Sequence, residues 1–361
     1  MRRFICIFPK GENIHLTKDV GLIPYFLNKE KYFESTIAFC KDKNELPFLN
    51  TEVQGLKYKK IKKIMTYDYL NIFFFLIGNL FRYDVVMLFH PNYYSLLIAY
   101  VIKRMSFNRI KFYFKLDLDS TFDFSGLYQK SFKRNVFNFL MNDIALLSVE
   151  SYDDFKKFEA LNKFNVEHIP NGLIPQQSQK FEKENIMLTV GRLGTFQKDT
   201  ETLLNAFKLA NPTNLKLVLV GTIEVAFNEF IVNYFEKYPW LRNKVEFVGP
   251  ISDRNIIMNW YRRSKYFLLS SRNEGFPLTL LEAVANGCYI ISSDLPASRD
   301  VTSNQKYGKL FPIGDSNSLA SIISSLDYDS QLIPNPLEIF DYANQKYDWR
   351  IIVEKINSYL N

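Results

Sequence analysis

Two short stretches of this sequence place cations and carboxylates at spacings that suit phosphate and hydroxyl recognition. The first is VGRLGTFQKDT, residues 190–200. Gly191 permits a tight turn after the apolar run Ile186 to Val190, Arg192 follows at once, and Lys198 sits where Asp199 or Thr200 can cap the next helix. An arginine that grips phosphate oxygens bidentately, beside a compact lysine charge near a helix N-terminus, makes a pyrophosphate site. The same two cations after a strand are also an ordinary surface pair. The second stretch is SRNEGFPLTLLEAVANG, residues 271–287. Glu274 and Gly275 suit a turn, Pro277 the first helical position, and the free N–H groups around Phe276 to Leu278 favour a bound anion. Glu274 beside that anion can accept hydrogen bonds from sugar hydroxyls, and Glu282 from a ribose diol. Taken alone, Glu282 also reads as a helix-surface carboxylate.

Other phosphate chemistries lack their signatures. There is no GxxxxGK[ST] for a P-loop and no GxGxxG for a dinucleotide. Cys6, Cys40 and Cys288 are far apart with no CxxC spacing, which argues against a disulfide scaffold, a cysteine zinc site and a redox motif, and for a reduced setting.

The elements that must position these residues alternate. Short apolar runs, rich in β-branched and aromatic residues, are separated by amphipathic stretches, the pattern of β-α units and a parallel sheet. Strands are expected at Phe4 to Phe8, Ser35 to Phe39, Val85 to Phe89, Lys111 to Leu116 and Ile144 to Ser148. A second set is expected at Ile186 to Val190, Leu215 to Val220, Val245 to Val248, Tyr266 to Ser270, Tyr289 to Ser292 and Gly308 to Phe311. Helices are expected at Thr200 to Ala210, Asn255 to Arg263 and Pro277 to Asn286. The fold class is therefore α/β, with two doubly wound domains whose join falls between Ile169 and Glu184. In such sheets ligands bind beyond the carboxyl ends of the strands, where both stretches lie.

A length of 361 residues with 47% hydrophobic content supports two such cores and excludes a disordered chain. The N-terminus, MRRFICIFPK, has too short an apolar run for a signal peptide and reads as the first strand. The longest apolar run, Ile72 to Phe81, is well short of the roughly 20 residues that span a bilayer. Residues 1–170 carry 25 Lys and Arg against 18 Asp and Glu, and the remainder 20 of each, so the net charge of +7 belongs to the first half. It peaks at Lys57, Lys59, Lys60, Lys62 and Lys63, just before the aromatic run at Phe73, Phe74 and Phe75. This is the composition of a surface that rests on anionic lipid, and equally of a solvated lysine face beside a buried helix. No nucleic-acid module accompanies it.

Taken together, residues 169–315 resemble the donor-binding half of family 4 glycosyltransferases of GT-B fold. The resemblance runs through IPNGL (169–173), VGRL with Lys198, EGFPLTLLEA with its two glutamates, NGCYIISSD (286–294) and YGKLFPIGD (307–315). The closing YDWRIIVEKI (347–356) resembles the family's last helix, which crosses back onto the first domain. The resemblance implies an acceptor domain at 1–168 completed by 345–361, a donor domain at 169–344, and a cleft between them. It implies retaining transfer of a hexosyl-type sugar from a nucleotide diphosphate sugar, most often a UDP-sugar, to a glycan or lipid-linked glycan. The setting implied is polysaccharide or capsule synthesis, in the cytoplasm or peripheral on the cytoplasmic face of the membrane.

No cofactor or essential metal is implied. Protein cations must then neutralise the leaving diphosphate, and Arg192 and Lys198 match those positions, with Gly191 in the turn. Glu274 matches the residue near the donor sugar, Glu282 the ribose ligand, and Gly275, Phe276, Pro277 and Leu278 the diphosphate-facing backbone. His90, at the end of the strand Val85 to Phe89, matches a histidine placed near the reacting centre.

Three places depart from the family. Many members have a second histidine where this chain reads FKLDLD, so Lys115, Asp117 and Asp119 either contact the acceptor or form a buried structural pair. The usual Gly-Gly turn after the first strand is PKGENIH, which leaves Lys10, Gly11 and His15 on the acceptor side. In DLPASRD, Asp300 falls where a glutamate is common, and His168 reads as structural. Two other readings remain: a nucleotide-sugar 2-epimerase of the same architecture, which needs carboxylates and histidines clustered for proton transfer, and a non-catalytic binding protein.

Overall fold

A computed structural model describes the chain except residues 43–44, 120, 123–131, 176–180 and 330–332. The chain divides into two units, one of Met1–Gly172 with Asp348–Asn361 and one of Leu173–Tyr347. Part of the expected join, 176–180, lies outside the described residues.

The first unit holds β1 (Arg2–Gly11), β2 (Phe33–Asp42), β3 (Lys57–Lys60), β4 (Val85–Phe89), β5 (Lys111–Leu116), β6 (Leu146–Val149) and β7 (Val166–His168). They form a parallel sheet in the order β3-β2-β1-β4-β5-β6-β7. β1 is central, and Phe4, Ile5, Cys6 and Ile7 are all fully buried, as a strand covered on both faces requires.

β3 was not expected, because KYKK shows no apolar signal. It forms by parallel pairing along β2, with Tyr58 against Phe39 (ring centroids 5.8 Å). Lysines on an edge strand also discourage pairing with another sheet. β7, only three residues long, was hidden for the same reason: pairing with β6 defines it, not its composition.

The helix Trp349–Leu360 belongs to the first unit. Asp348 caps it, accepting from the Arg350 N–H at 2.7 Å. Trp349 is fully buried, stacks on Phe26 (6.4 Å) and lies against Gly172, where any Cβ would collide with its ring at 2.5 Å.

The second unit holds β8 (Glu184–Val190), β9 (Lys216–Val220), β10 (Val245–Gly249), β11 (Ser264–Leu269), β12 (Tyr289–Ser293) and β13 (Gly308–Phe311). Their order, β10-β9-β8-β11-β12-β13, is again parallel and doubly wound. In each sheet the strand order reverses once, between β1 and β4 and between β8 and β11. That reversal opens the crevice where doubly wound sheets take ligands.

Candidate functional site

The two stretches singled out by their chemistry follow β8 and β11, the two strands that flank the reversal point of the second sheet. Their loops are laced together by backbone and side-chain bonds. The Arg272 N–H donates to the Gln197 carbonyl at 2.8 Å, Ser270 Oγ to the Lys198 carbonyl at 2.9 Å, and Gln197 Nε2 to the Asn273 carbonyl at 3.1 Å. This lacing sets Lys198 Nζ 2.5 Å from Glu274 Oε1, which also accepts from Ser271 Oγ at 2.7 Å. The two side chains are 20% and 10% exposed, so the pair is held largely away from bulk water yet reachable.

Arg192 is exposed and donates to Gln197 Oε1 at 3.1 Å. Gly191 lies beside the Lys198 stem, with room for a Cβ at 3.5 Å. The tighter constraint is Gly221, at φ +144°, whose Cβ would meet the Gly191 carbonyl at 1.7 Å. Only glycine lets the loop after β9 back onto that turn.

The expected helix Thr200–Ala210 is present, but its cap differs from expectation. Asp199 is in the left-handed region (φ 46°) and makes no cap bond. Its carboxylate instead accepts from Thr202 Oγ1 at 2.9 Å and pairs with Arg272 Nη2 at 2.9 Å. Pro277 is the N-cap residue, not the first helical one, and the helix runs Leu278–Val284. Gly275 and the buried Phe276 lie in the turn before it.

Glu282 is not an ordinary surface carboxylate. Tyr261 OH donates to its Oε2 at 3.0 Å, and Arg254 Nη2 lies 3.4 Å from its Oε1. Burial raises the Glu282 carboxyl, while Arg254 and the Tyr261 hydrogen bond oppose the rise. Sequence reasoning missed Tyr261, Arg254 and Ser271, because partners from neighbouring elements carry no spacing signal.

In the first unit His15 and His90 lie near the β1/β4 reversal point. A run of rings joins them: Phe8 lies 4.9 Å from the His15 ring and 5.5 Å from that of Phe89, which is 6.4 Å from the His90 ring. His15 Nδ1 accepts from the Glu12 N–H at 2.9 Å. Lys10 is exposed at the end of β1, and Gly11 is buried where a Cβ would strike the Phe39 ring at 1.9 Å.

His90 has a left-handed backbone (φ 50°) while its N–H donates to the Lys115 carbonyl at 3.1 Å. For a residue other than glycine this costs on the order of 1–3 kcal/mol, a strain typical of functional positions. With Asp117 and Asp119 it lines a cavity of about 400 Å³. The structure therefore brings His90 and Asp117 together.

Lys115 requires a correction. It is fully buried and does not reach that cavity. Its Nζ donates to Asp19 Oδ2 at 2.6 Å, to Asn171 Oδ1 of the IPNG motif at 2.6 Å, and to Glu150 Oε1. A buried ammonium is tolerated only with such partners, so Lys115 ties β5 to β6 and to the segment after β7, and does not contact an acceptor. Burial also pushes the Glu150 carboxyl up to about 8, against the pull of Lys115 and with repulsion from Asp117 and Asp19. His168, as expected, is structural, with Nε2 3.1 Å from the Glu150 carbonyl oxygen.

The lysine cluster divides. Lys57 pairs with Glu34, and Lys59 reaches over the Phe75 ring at 5.0 Å, whereas Lys60, Lys62 and Lys63 are exposed. Among the described residues no helix is long and apolar enough to cross a membrane, and no group of three or more His, Cys, Asp or Glu is arranged to hold a metal ion.

Residues 171–336 match the family described as glycosyl transferases group 1. A phosphatidyl-myo-inositol mannosyltransferase of Mycobacterium leprae is 26% identical over 209 residues, 55% of this chain and 54% of that protein. The amylovoran biosynthesis glycosyltransferase AmsD of Erwinia amylovora is 36% identical over 101 residues, 28% of this chain and 27% of that protein. The chain thus spans about half, or less, of the length of these curated relatives. Anabaena Alr3699/HepE, solved in complex with UDP and glucose, superposes with a TM-score of 0.71 at 15% identity, covering 100% of this chain and 99% of that one. The lipopolysaccharide outer core galactosyltransferase WaaB in its apo form gives 0.70 at 18% identity, with 100% and 99% covered. At these identities the likeness is one of fold, two Rossmann-like domains in the GT-B class.

Proposed function

We propose, from the match of residues 171–336 to the glycosyl transferases group 1, that this chain transfers a sugar, with retention, from a nucleotide diphosphate donor to a glycan acceptor. The observation that carries the reading is the Lys198–Glu274 pair at the reversal point of the second sheet. It sets a cation for a diphosphate beside a carboxylate for sugar hydroxyls, where this fold takes its ligands.

In the reaction the bond between the anomeric carbon and the β-phosphate oxygen breaks, and the leaving diphosphate gains negative charge. Arg192 and Lys198 stabilise that charge, a preorganised contribution of the kind that dominates many enzymes. The acceptor hydroxyl attacks the same face of the sugar, and its proton passes to the departing phosphate oxygen. Glu274 holds donor-sugar hydroxyls, Glu282 the ribose, and the turn Gly275 to Leu278 offers N–H groups to the diphosphate. His90 and Asp117 line the acceptor side. Protein cations fill the role a metal plays elsewhere, so no essential metal is needed.

UDP is the proposed carrier and a hexose the proposed sugar, supported by the solved neighbour that holds UDP with glucose. Polysaccharide or capsule synthesis is the proposed setting, supported by the named roles of the relatives, which include a capsular polysaccharide biosynthesis glycosyltransferase. The protein would work in the cytoplasm or peripherally on an anionic membrane face, through Lys60, Lys62 and Lys63.

The test is donor turnover by the wild type, Lys198→Ala and Glu274→Gln, with folding checked by melting. Transfer lost in both folded variants and unchanged by EDTA supports the reading. Unaltered transfer in either variant would overturn the roles assigned. Recovery of a donor inverted at C2 would instead indicate an epimerase, and donor binding without turnover a binding protein.

A further inference from the structure

Three cavities of the first unit adjoin one another, and their chemistry changes in a fixed order. The first, about 610 Å³, lies between the helices Asp68–Ile77 and Tyr93–Met105 and is lined only by apolar and aromatic residues, among them Leu70, Phe73, Leu97 and Val101. It shares Tyr94 with a second cavity of about 720 Å³, where Lys133 and Arg134 enter from the helix Phe132–Asn142. The second shares Pro91 and Phe137 with the carboxylate-lined cavity of His90, Asp117 and Asp119.

Local bonds hold this arrangement. Asn92 caps the helix Tyr93–Met105, accepting from the Tyr94 and Ser95 N–H groups, while its own Nδ2 donates to Tyr69 OH at 2.5 Å. The Tyr69 and Tyr94 rings, both lining the apolar slot, stack at 6.2 Å. Asn71 ties the segment before the helix Asp68–Ile77 to that helix by accepting from the Ile64 and Met65 N–H groups at 2.8 and 2.7 Å. The Arg134 guanidinium lies over the Phe137 ring at 5.3 Å, at the step between the second and third cavities.

We infer that this run of cavities is the seat of a lipid-linked acceptor: a single hydrocarbon chain in the slot of Leu70, Phe73, Leu97 and Val101, its phosphate or diphosphate beside Lys133 and Arg134, and its sugar at His90 and Asp117. The inference rests on the transferase reading and supplies its acceptor class. Charge complementarity selects this occupant. A peptide would cover an apolar patch, but it does not place one anion beyond a hydrocarbon slot and a hydroxyl-rich group beyond that anion. The slot is also concave, which suits one chain and not a flat bilayer surface.

The test is calorimetric titration of the full chain with farnesyl diphosphate, inorganic pyrophosphate and farnesol. Wild type should bind farnesyl diphosphate at least tenfold more tightly than either fragment. Leu70→Asp with Leu97→Asp should lose at least tenfold; both positions are about 40% exposed, so the fold tolerates the change. Lys133→Gln with Arg134→Gln should reduce farnesyl diphosphate to the affinity of farnesol. Leu97→Ala, the milder change, should lose less than the double aspartate variant.

Equal binding of pyrophosphate and farnesyl diphosphate would overturn the inference, as would affinities unchanged in both double variants. Vesicle binding that depends on Leu97, without binding of the single-chain probe, would assign the slot to a bilayer and also overturn it. UDP binding, read separately on the same proteins, should be unaltered in all of them. If UDP fails to bind while farnesyl diphosphate behaves as stated, the donor reading fails and the lipid site stands.

Discussion

Lys198 and Glu274, 76 residues apart in sequence, meet at 2.5 Å because the loops after β8 and β11 are bonded to each other at the point where the strand order of the second sheet reverses. Lys198→Ala should lower turnover by about 10²–10³, the loss typical of removing one preorganised charge-stabilising group. Its folding cost should be smaller in consequence, about 1–3 kcal/mol, from a carboxylate left with Ser271 as its remaining partner. Turnover and denaturant melts on the same preparation separate the two.

The ribose contact assigned to Glu282 gives a pH signature. Burial raises its carboxyl, and a protonated carboxyl accepts fewer hydrogen bonds. The donor KM should therefore rise on acidification, beginning at a higher pH than an ordinary glutamate would give. Tyr261→Phe removes a hydrogen bond that lowers this pKa, so the acid limb should move to still higher pH with kcat little changed. A KM flat with pH in both proteins would remove Glu282 from the donor site.

Stability should carry a separate pH term from Glu150. Its native carboxyl holds a proton up to about 8, whereas the unfolded chain releases it near 4.5. Between these values the native state binds more protons, so this contribution is complete below about 4.5 and is lost as pH rises towards 8. Glu150→Gln should flatten the fall in melting temperature from pH 5 to 8. Lys115→Met, which leaves the Asp19 carboxylate without its cation, should cost about 3–5 kcal/mol.

The chemistry-bearing loops were legible in the sequence because strand-turn-helix units expose their ends in predictable places. Gly191, Arg192, Lys198, Glu274 and Glu282 all lie after strands that short apolar runs mark clearly. What was not legible depends on pairing between distant segments. β3 is a strand only because β2 accepts it, and Lys115 is structural only because Asp19, Glu150 and Asn171 converge on it. Likewise the partners of Glu282 come from a different helix, and the adjoining cavities of the first unit arise from the packing of three.

The split lysine cluster predicts a graded membrane response. Changing Lys60, Lys62 and Lys63 to Gln should weaken binding to vesicles rich in anionic lipid, by about 1 kcal/mol for each lysine near the surface. Lys59→Gln should change vesicle binding little, because that ammonium lies over Phe75. Sedimentation with vesicles at two salt concentrations checks both, and the effect should shrink at high salt.

The most direct test of the central claim is thermal melting of wild type and Lys198→Ala with UDP, GDP, ADP and NAD. A ligand bound only by the native state adds about 2.7 kcal/mol at 100 times its dissociation constant, without any acceptor present. A rise with UDP that disappears in Lys198→Ala is the result expected of a diphosphate site built on that lysine. An equal rise in both proteins, or no rise with any nucleoside diphosphate, would contradict it.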